Sequence, residues 1–353
     1  MRRKRRVILL LILSILSLLL FSNNYFLSAV DSNDTRNVSF VIEENQNSDI
    51  ILDNLANQDL IASKTVAQVY IRLSNQSNFQ IGTFQLSRSM TLPEIIRTLN
   101  SSDNAQTINI TFPEGIRVVD FANIANERLG IDVEEFKSLT NDQSFINDLS
   151  LRYEIIEKYE FNDAQLFKLE GLLAPDTYNL NYDTSARALI EILVAQTNTV
   201  YLEHQEMFEN SDLNINEIFT LASIVEAEVH TYEDRMLVAS IFMNRIRHNI
   251  PLGSDVTTYY GLQVQMGERD LTVSELAEVN DYNTRALSFI GLPVGPINSP
   301  SLQSILAALN YYPTEYLYFV NDVNGKTYPA ITYQEHNEII TYLQEQGLWF
   351  IHD

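Results

Sequence analysis

Leu221-Ala222-Ser223-Ile224-Val225-Glu226-Ala227-Glu228 is an apolar stretch that ends in two carboxylates. Upstream, Asn214 and Glu217 stand three apart as a cap pair, opening a helix that runs through the stretch to about His230. Thr231 and Asp234 repeat the device for a helix to His248, with Asn249 as its C′ residue. On the 3.6-residue period Glu226 lies beside Ala222, Ser223 and Val229, next to the buried stripe, with His230 four residues on. Glu228 points about 200° round the helix, so it does not pair with Glu226. A carboxyl on an apolar face is desolvated, which is the condition for a general acid near neutral pH. On pattern alone the commoner arrangement is a buried glutamate paired with an arginine, here Arg235 or Arg245.

Outward from these helices the chain is mixed. Ser301 opens a helix to about Asn310, residues 316–321 read as a strand, and 333–346 as a closing helix. Between 249 and 301 the sequence is rich in Gly, Pro, Asn and Tyr. Upstream, 185–208 reads as one long amphipathic helix. Residues 140–164 are charged and weakly patterned, a connector. A short helix is expected over 133–139. Val118, Phe121, Ala122, Ala125 and Leu129 form a helical stripe stopped by Gly130. Before Pro113 the pattern is β-α-α-β. It comprises a strand over 38–42, a helix capped by Ser48, a helix capped by Ser63 with Val66, Val69, Tyr70 and Leu73 on one face, and a strand over 79–86. A capping box at Thr91-x-x-Glu94 and an alternating run over 107–112 follow. The fold class expected is α+β: a small α+β domain, then a larger mixed α/β domain rich in helices.

The chain has 353 residues and a net charge of −23, and its length suggests about two domains. Five of its basic residues fall within the first six positions, so the rest is more acidic still. Such a body is repelled by phosphate backbones, and no nucleic-acid partner is expected. There is no cysteine, which excludes disulfides, thiolate nucleophiles and thiolate metal sites. The five histidines show no metal-binding spacing, and no P-loop, dinucleotide-binding or nucleophile-elbow motif occurs. No metal and no cofactor are expected.

Residues 7–21 are apolar apart from Ser14 and Ser17. Fifteen helical residues reach only about 22 Å of a roughly 30 Å hydrocarbon core, and extension to Leu27 completes a span. The basic cluster at 1–6 should stay in the cytoplasm. Ser28-Ala29-Val30 is a poor small-x-small cleavage site, which favours a persistent anchor over a removed signal peptide. Residues 28–37 are a polar linker, and the acidic body is exported.

Several segments, in order, resemble one family. They are Glu170-Gly171 with Pro175-Asp176-Thr177-Tyr178; Ala222-Ser223-Ile224-Val225-Glu226 with Glu228; Arg235, Val238-Ala239-Ser240-Ile241-Phe242 and Asn244-Arg245; Asp255-Val256-Thr257 with Tyr260-Gly261; Tyr282-Asn283-Thr284; Gly291-Leu292-Pro293 with Gly295-Pro296-Ile297; Tyr316-Leu317-Tyr318-Phe319; and His336-Asn337. Together they resemble the MltG-type (YceG-like) endolytic murein transglycosylases over most of 165–340. Val256, Val294 and Lys326-Thr327-Tyr328 depart from the family pattern.

The resemblance implies a lytic transglycosylase that cuts peptidoglycan glycan strands internally, between N-acetylmuramic acid and N-acetylglucosamine, limiting nascent strand length. It implies a LysM-like domain over 38–112, a helical connector over 113–164 and a catalytic domain over 165–353. These follow the cytoplasmic tail (1–6), the single-pass anchor (7–27) and the linker (28–37), with the catalytic domain outside a bacterial cell membrane. Peptidoglycan synthases are the candidate protein partners. Glu226 is the expected catalytic acid–base. Asp255, Thr257, Tyr282, Asn283 and Thr284 are candidate substrate-binding residues, and Glu228, His230, His336 and Asn337 supporting residues around the acid. A non-catalytic glycan-binding scaffold and a glycan hydrolase are the alternatives. The hydrolase would need a second carboxylate near Glu226, and spacing nominates none.

Overall fold

A computed structural model describes residues 27–43, 46–101 and 107–349. The expected membrane helix over 7–27 lies, but for its last residue, outside the described residues. Among the described residues no helix is long and apolar enough to cross a membrane. The chain divides into two compact units, one holding the described residues up to 109 with 179–183, the other 110–178 with the described residues from 184 onward.

The first unit contains the expected β-α-α-β order: β1 (Val38–Ile42), α1 (Ser48–Asn57), α2 (Lys64–Ser74) and β2 (Gly82–Leu86), followed by α3 (Leu92–Leu99). β1 and β2 pair antiparallel with Phe40 opposite Phe84, and both rings enter a core with Leu52, Leu55, Ile95, Ile96 and Leu99. α3 starts on the expected capping box. Thr91 N donates to Glu94 Oε2 at 2.8 Å and Glu94 N to Thr91 Oγ1 at 3.4 Å. Three details differ from expectation. β2 starts at Gly82, three residues later than the expected strand over 79–86. α1 is capped one residue early, by Asn47, whose Oδ1 accepts from Ile50 N at 3.0 Å. α2 buries Ala67 and Ile71, four apart, while Val69 and Leu73 are exposed. Val66 and Tyr70 of the expected face pack partly buried against the core, so the buried side is centred on Ala67 and Ile71 and turned away from Val69 and Leu73.

β3 (Thr107–Thr111) leads toward the second unit, where α4 (Val118–Leu129) ends at Gly130, left-handed at φ 72° as the stop signal required. α5 (Val133–Leu139) follows. The expected connector then folds into α6 (Gln143–Ser150) and α7 (Glu154–Lys158). Asp142 caps α6 through Phe145 N at 2.7 Å, and Phe145, Ile146, Leu149, Ile155 and Ile156 are buried. Their charged neighbours had hidden this short stripe. β4 (Thr177–Asn181), unexpected from the sequence, pairs with β3. The long helix breaks at His204 into α8 (Ala186–Glu203) and α9 (Gln205–Glu209).

α10 (Ile215–Glu228) and α11 (Tyr232–Arg247) form the heart of this unit, and His248 is followed by Asn249 in the left-handed region, as expected. The Gly- and Pro-rich stretch still yields α12 (Asp255–Gly261) and α13 (Val273–Ala277). α14 (Leu302–Asn310) packs against both α10 and α11. β5 (Tyr318–Asn321) starts two residues later than expected because Asn244 Nδ2 claims the carbonyls of Thr314 and Tyr316. It forms a hairpin with β6 (Thr327–Ala330), and α15 (Tyr333–Glu345) packs on both strands. α15 closes in a Schellman motif: Gly347 N donates to Gln344 O at 3.1 Å, and Leu348 N to Leu343 O at 2.8 Å. Gly347 is left-handed at φ 66°. Val323 N, in the β5–β6 turn, then donates to Leu348 O at 3.0 Å.

Candidate active site

The end of α10 organises the site. Its cap pair forms as expected: Glu217 N donates to Asn214 Oδ1 at 2.8 Å, and Asn214 N to Glu217 Oε2 at 2.9 Å. The helix is buried along most of its length, and its last turn carries Glu226 and Glu228. The two face different surroundings.

Glu226 points inward. Its Oε1 accepts from Arg235 Nη2 at 2.9 Å, with both side chains under a tenth exposed. Its Oε2 accepts from Ser301 N at 2.9 Å and from Ser301 Oγ at 2.5 Å. Ser301 is the N-cap of α14, so one carboxyl ties α10, α11 and α14 together. Gly115 lies close over it, since a Cβ at Gly115 would stand 3.5 Å from Glu226 Cγ. The neighbouring Glu114 carboxyl is pushed up by burial and by the charge of Glu226. The paired-arginine alternative therefore describes Glu226, and Arg235 is the partner. Arg245 is engaged elsewhere, donating to Pro251 O at 2.8 Å and Leu317 O at 3.1 Å.

Glu228 points the other way, into a cleft of about 560 Å³ whose walls include Ser254, Asp255, Arg245, Tyr318, His336 and Trp349. Its Oε1 accepts from Ser254 Oγ at 2.6 Å, and its main-chain carbonyl accepts from Asn321 Nδ2 at 3.0 Å. Burial pushes the Glu228 carboxyl up. The Ser254 hydrogen bond opposes this, and the negative charge of Asp255 adds to it. A desolvated carboxyl opening on a cleft can hold a proton and deliver it to a bound substrate.

The other residues nominated from sequence separate into two groups. Asp255 and His336 line the same cleft as Glu228. Asp255 is half-exposed and pairs with Arg285 Nη1 at 2.8 Å. His336 has a buried Nδ1 without a partner, and burial and the Arg245 charge push the imidazole down. Thr257, Tyr282, Asn283 and Thr284 are instead fully enclosed, with their polar atoms committed inside the protein. Thr257 Oγ1 meets Ser254 O and Thr284 Oγ1, each at 2.8 Å. Tyr282 Oη accepts from Leu166 N at 3.2 Å. Asn283 Nδ2 donates to the carbonyls of Glu275, Leu276 and Glu278. These side chains hold the start of α12, and with it Ser254, against Glu228. His230 lies beyond the end of α10 and is exposed, and Asn337 is exposed on α15.

Glu170, of the Glu170-Gly171 segment, lies in the same unit. It is fully buried, accepting from Val118 N at 3.0 Å and Tyr260 Oη at 2.9 Å. Burial raises its pKa to about 8. Ser254, Ser301, Glu114 and Trp349 were not nominated from sequence. Ser254 reaches Glu228 and Ser301 reaches Glu226 from distant segments, Glu114 stands beside Glu226, and Trp349 lines the Glu228 cleft, none of which a local spacing signals.

A helix-rich α+β protein with a desolvated carboxyl on an open cleft is the class that fold and site define. Residues 40–341 match the YceG-like family, and the chain belongs to that family. It is 29% identical over 315 residues to the endolytic murein transglycosylase of Bacillus subtilis (strain 168), covering 88% of this chain and 86% of that protein. It is 28% identical over 342 residues to the endolytic murein transglycosylase of Streptococcus pneumoniae serotype 2 (strain D39 / NCTC 7466), covering 90% of this chain. The chain spans 62% of that pneumococcal protein's length. A crystal structure of a yceG-like protein from Listeria monocytogenes shares the fold. The TM-score is 0.60 at 24% identity, over 86% of this chain and 99% of that one.

Proposed function

We propose that this chain is an endolytic lytic transglycosylase of peptidoglycan and that Glu228, rather than Glu226, is its acid–base. The observation that carries the reading is the Glu228 carboxyl, desolvated yet lining the open cleft. Glu226 spends both oxygens on Arg235 and Ser301, which suits an anchor better than a group that must exchange a proton with substrate.

In this mechanism Glu228 protonates the oxygen between C1 of N-acetylmuramic acid and the departing N-acetylglucosamine. The muramic C6 hydroxyl then attacks C1 and gives its proton to Glu228. The acid is regenerated, a 1,6-anhydro ring closes, and no water is consumed. Intramolecular attack supplies the advantage of proximity and removes the need for a second carboxylate to activate water. A hydrolase reading draws on one specific feature, the presence of Asp255 in the same cleft. The product separates the two. Incubated with peptide-free glycan strands in heavy-oxygen water, the full-length protein should release muramic ends lighter by one water than reducing ends and without label. Labelled reducing ends would establish the hydrolase, and no new ends a binding scaffold.

The basic residues at 1–6 and the apolar run over 7–27 support a single-pass anchor with a cytoplasmic N-terminus. In this reading the segment 38–112 is a LysM-like glycan-holding domain and 113–164 leads into the catalytic region. Peptidoglycan synthases acting on the same strands are the protein partners. Protease applied to the outer face of intact cells should digest the body. A body protected until the cells are lysed rules the topology out.

A further inference from the structure

We propose that Trp349 is the platform on which a sugar ring of the substrate stacks in the Glu228 cleft. The inference rests on the functional reading above and names a specificity residue for it. Trp349 is the only tryptophan in the chain, and it lines the same cleft as Glu228 and Asp255. Its position is built, not incidental. The Schellman motif at Gly347 reverses the chain at the end of α15, and the Val323 N to Leu348 O bond of 3.0 Å pins the reversed segment to the β5–β6 turn. Trp349 is the next residue, half-buried on the cleft wall.

The other aromatic walls of the cleft are occupied. Tyr318 lies under the Arg245 guanidinium at 5.3 Å and against His336 at 5.6 Å. Phe242 is buried and meets Phe319 edge-on at 5.8 Å. Among the described residues no ring or cation covers Trp349. A pyranose ring is the ligand such a surface suits. Its axial C–H bonds present positive edges on one flat side, and the indole offers the negative face of a large π system. The ligand class is an N-acetylated, β-linked pyranoside chain lying along the cleft.

Because the chain has one tryptophan, its emission reports on that residue alone. Full-length Glu228→Gln protein, which should hold its ligand uncleaved, is titrated with soluble peptide-free glycan oligomers while tryptophan emission and binding heat are both recorded. A saturable emission change that tracks the heat is expected. In the cleavage assay with Glu228 intact, Trp349→Ala should raise KM about tenfold with kcat within about threefold. Trp349→Phe should recover most of the loss. Binding heat with no emission change, or a Trp349→Ala protein with unaltered KM, overturns the stacking role and leaves the enzymatic reading intact. Absence of both binding heat and cleavage by the wild-type protein overturns the enzymatic reading, and this inference with it.

Discussion

Glu226 and Glu228 stand two residues apart at the end of one helix and serve opposite sides of it. Glu226 is locked to Arg235 at 2.9 Å, and Glu228 meets Ser254 at 2.6 Å on the wall of a cleft. Their substitutions should therefore fail differently. Glu228→Gln should fold normally and lose about 10²–10⁴-fold in glycan cleavage, the usual worth of a general acid–base. Glu226→Gln should lose stability, on the order of 3 kcal/mol, because Arg235 is left buried without its counter-charge. The folded fraction should still cleave within about tenfold of wild type. Thermal melting and rates normalised to folded protein check both. A stable, inactive Glu226→Gln beside an active Glu228→Gln returns the catalytic role to Glu226.

Activity should fall with rising pH. Burial raises the Glu228 carboxyl, and only its protonated form can donate to the glycosidic oxygen. Rates should be flat at low pH and drop about tenfold per unit above the raised value. Removing the Asp255 charge by Asp255→Asn should shift that break to lower pH, since Asp255 contributes to raising Glu228. A break that stays put, or moves upward, contradicts the assignment.

Glu170 makes a separate prediction about stability. Its folded pKa of about 8 lies well above the ordinary carboxyl range. Between roughly pH 4.5 and 8 the folded state therefore binds a proton the unfolded state has lost. Its stabilising contribution is complete below that window and is lost through it, by up to about 1.4 kcal/mol per pH unit. Glu170→Gln, which cannot ionise, should flatten this slope. Denaturant midpoints across pH 5 to 9 provide the measurement, and identical slopes for both proteins would refute the account.

Gly171 and Gly130 test backbone strain with and without a neighbour. Both are left-handed, at φ 80° and 72°. A Cβ at Gly171 would lie 2.6 Å from Pro296 Cβ, whereas one at Gly130 meets nothing within 4 Å. Gly130→Ala should cost about 1 kcal/mol from conformation alone. Gly171→Ala should cost about 2–4 kcal/mol, because overpacking adds to the same strain. Equal losses by denaturant titration would mean that the Pro296 contact yields.

Local signals were legible and distant ones were not. The caps at Thr91, Asn214 and Thr231 form where the sequence indicates, since each needs only a side chain and an amide within three residues. The short helices α6 and α7 were not read because too few apolar positions stand among their charges. β4 and β6 are too short to show a period. At the site, the helical wheel correctly separates Glu226 from Glu228, but it does not say what each side faces. That depends on Ser301, 75 residues away from Glu226, and on Ser254, 26 residues from Glu228. Tyr282 and Asn283 carry hydroxyl and amide groups that suit a sugar ligand. The same hydroxyl and amide groups serve as well inside the scaffold, and the carbonyls of α13 and the residue after it claim Asn283.

Helix ends ordinarily fray, and the last turn of α10 has reason not to. Asn298 Nδ2 donates to Ser223 O at 2.8 Å, Ser301 and Arg235 hold Glu226, and Asn321 Nδ2 donates to Glu228 O at 3.0 Å. In deuterated water the amides of this turn should exchange as slowly as mid-helix ones, reporting global rather than local opening. Glu228 would then be ordered before any strand arrives, and no ordering entropy is lost at that position when one binds.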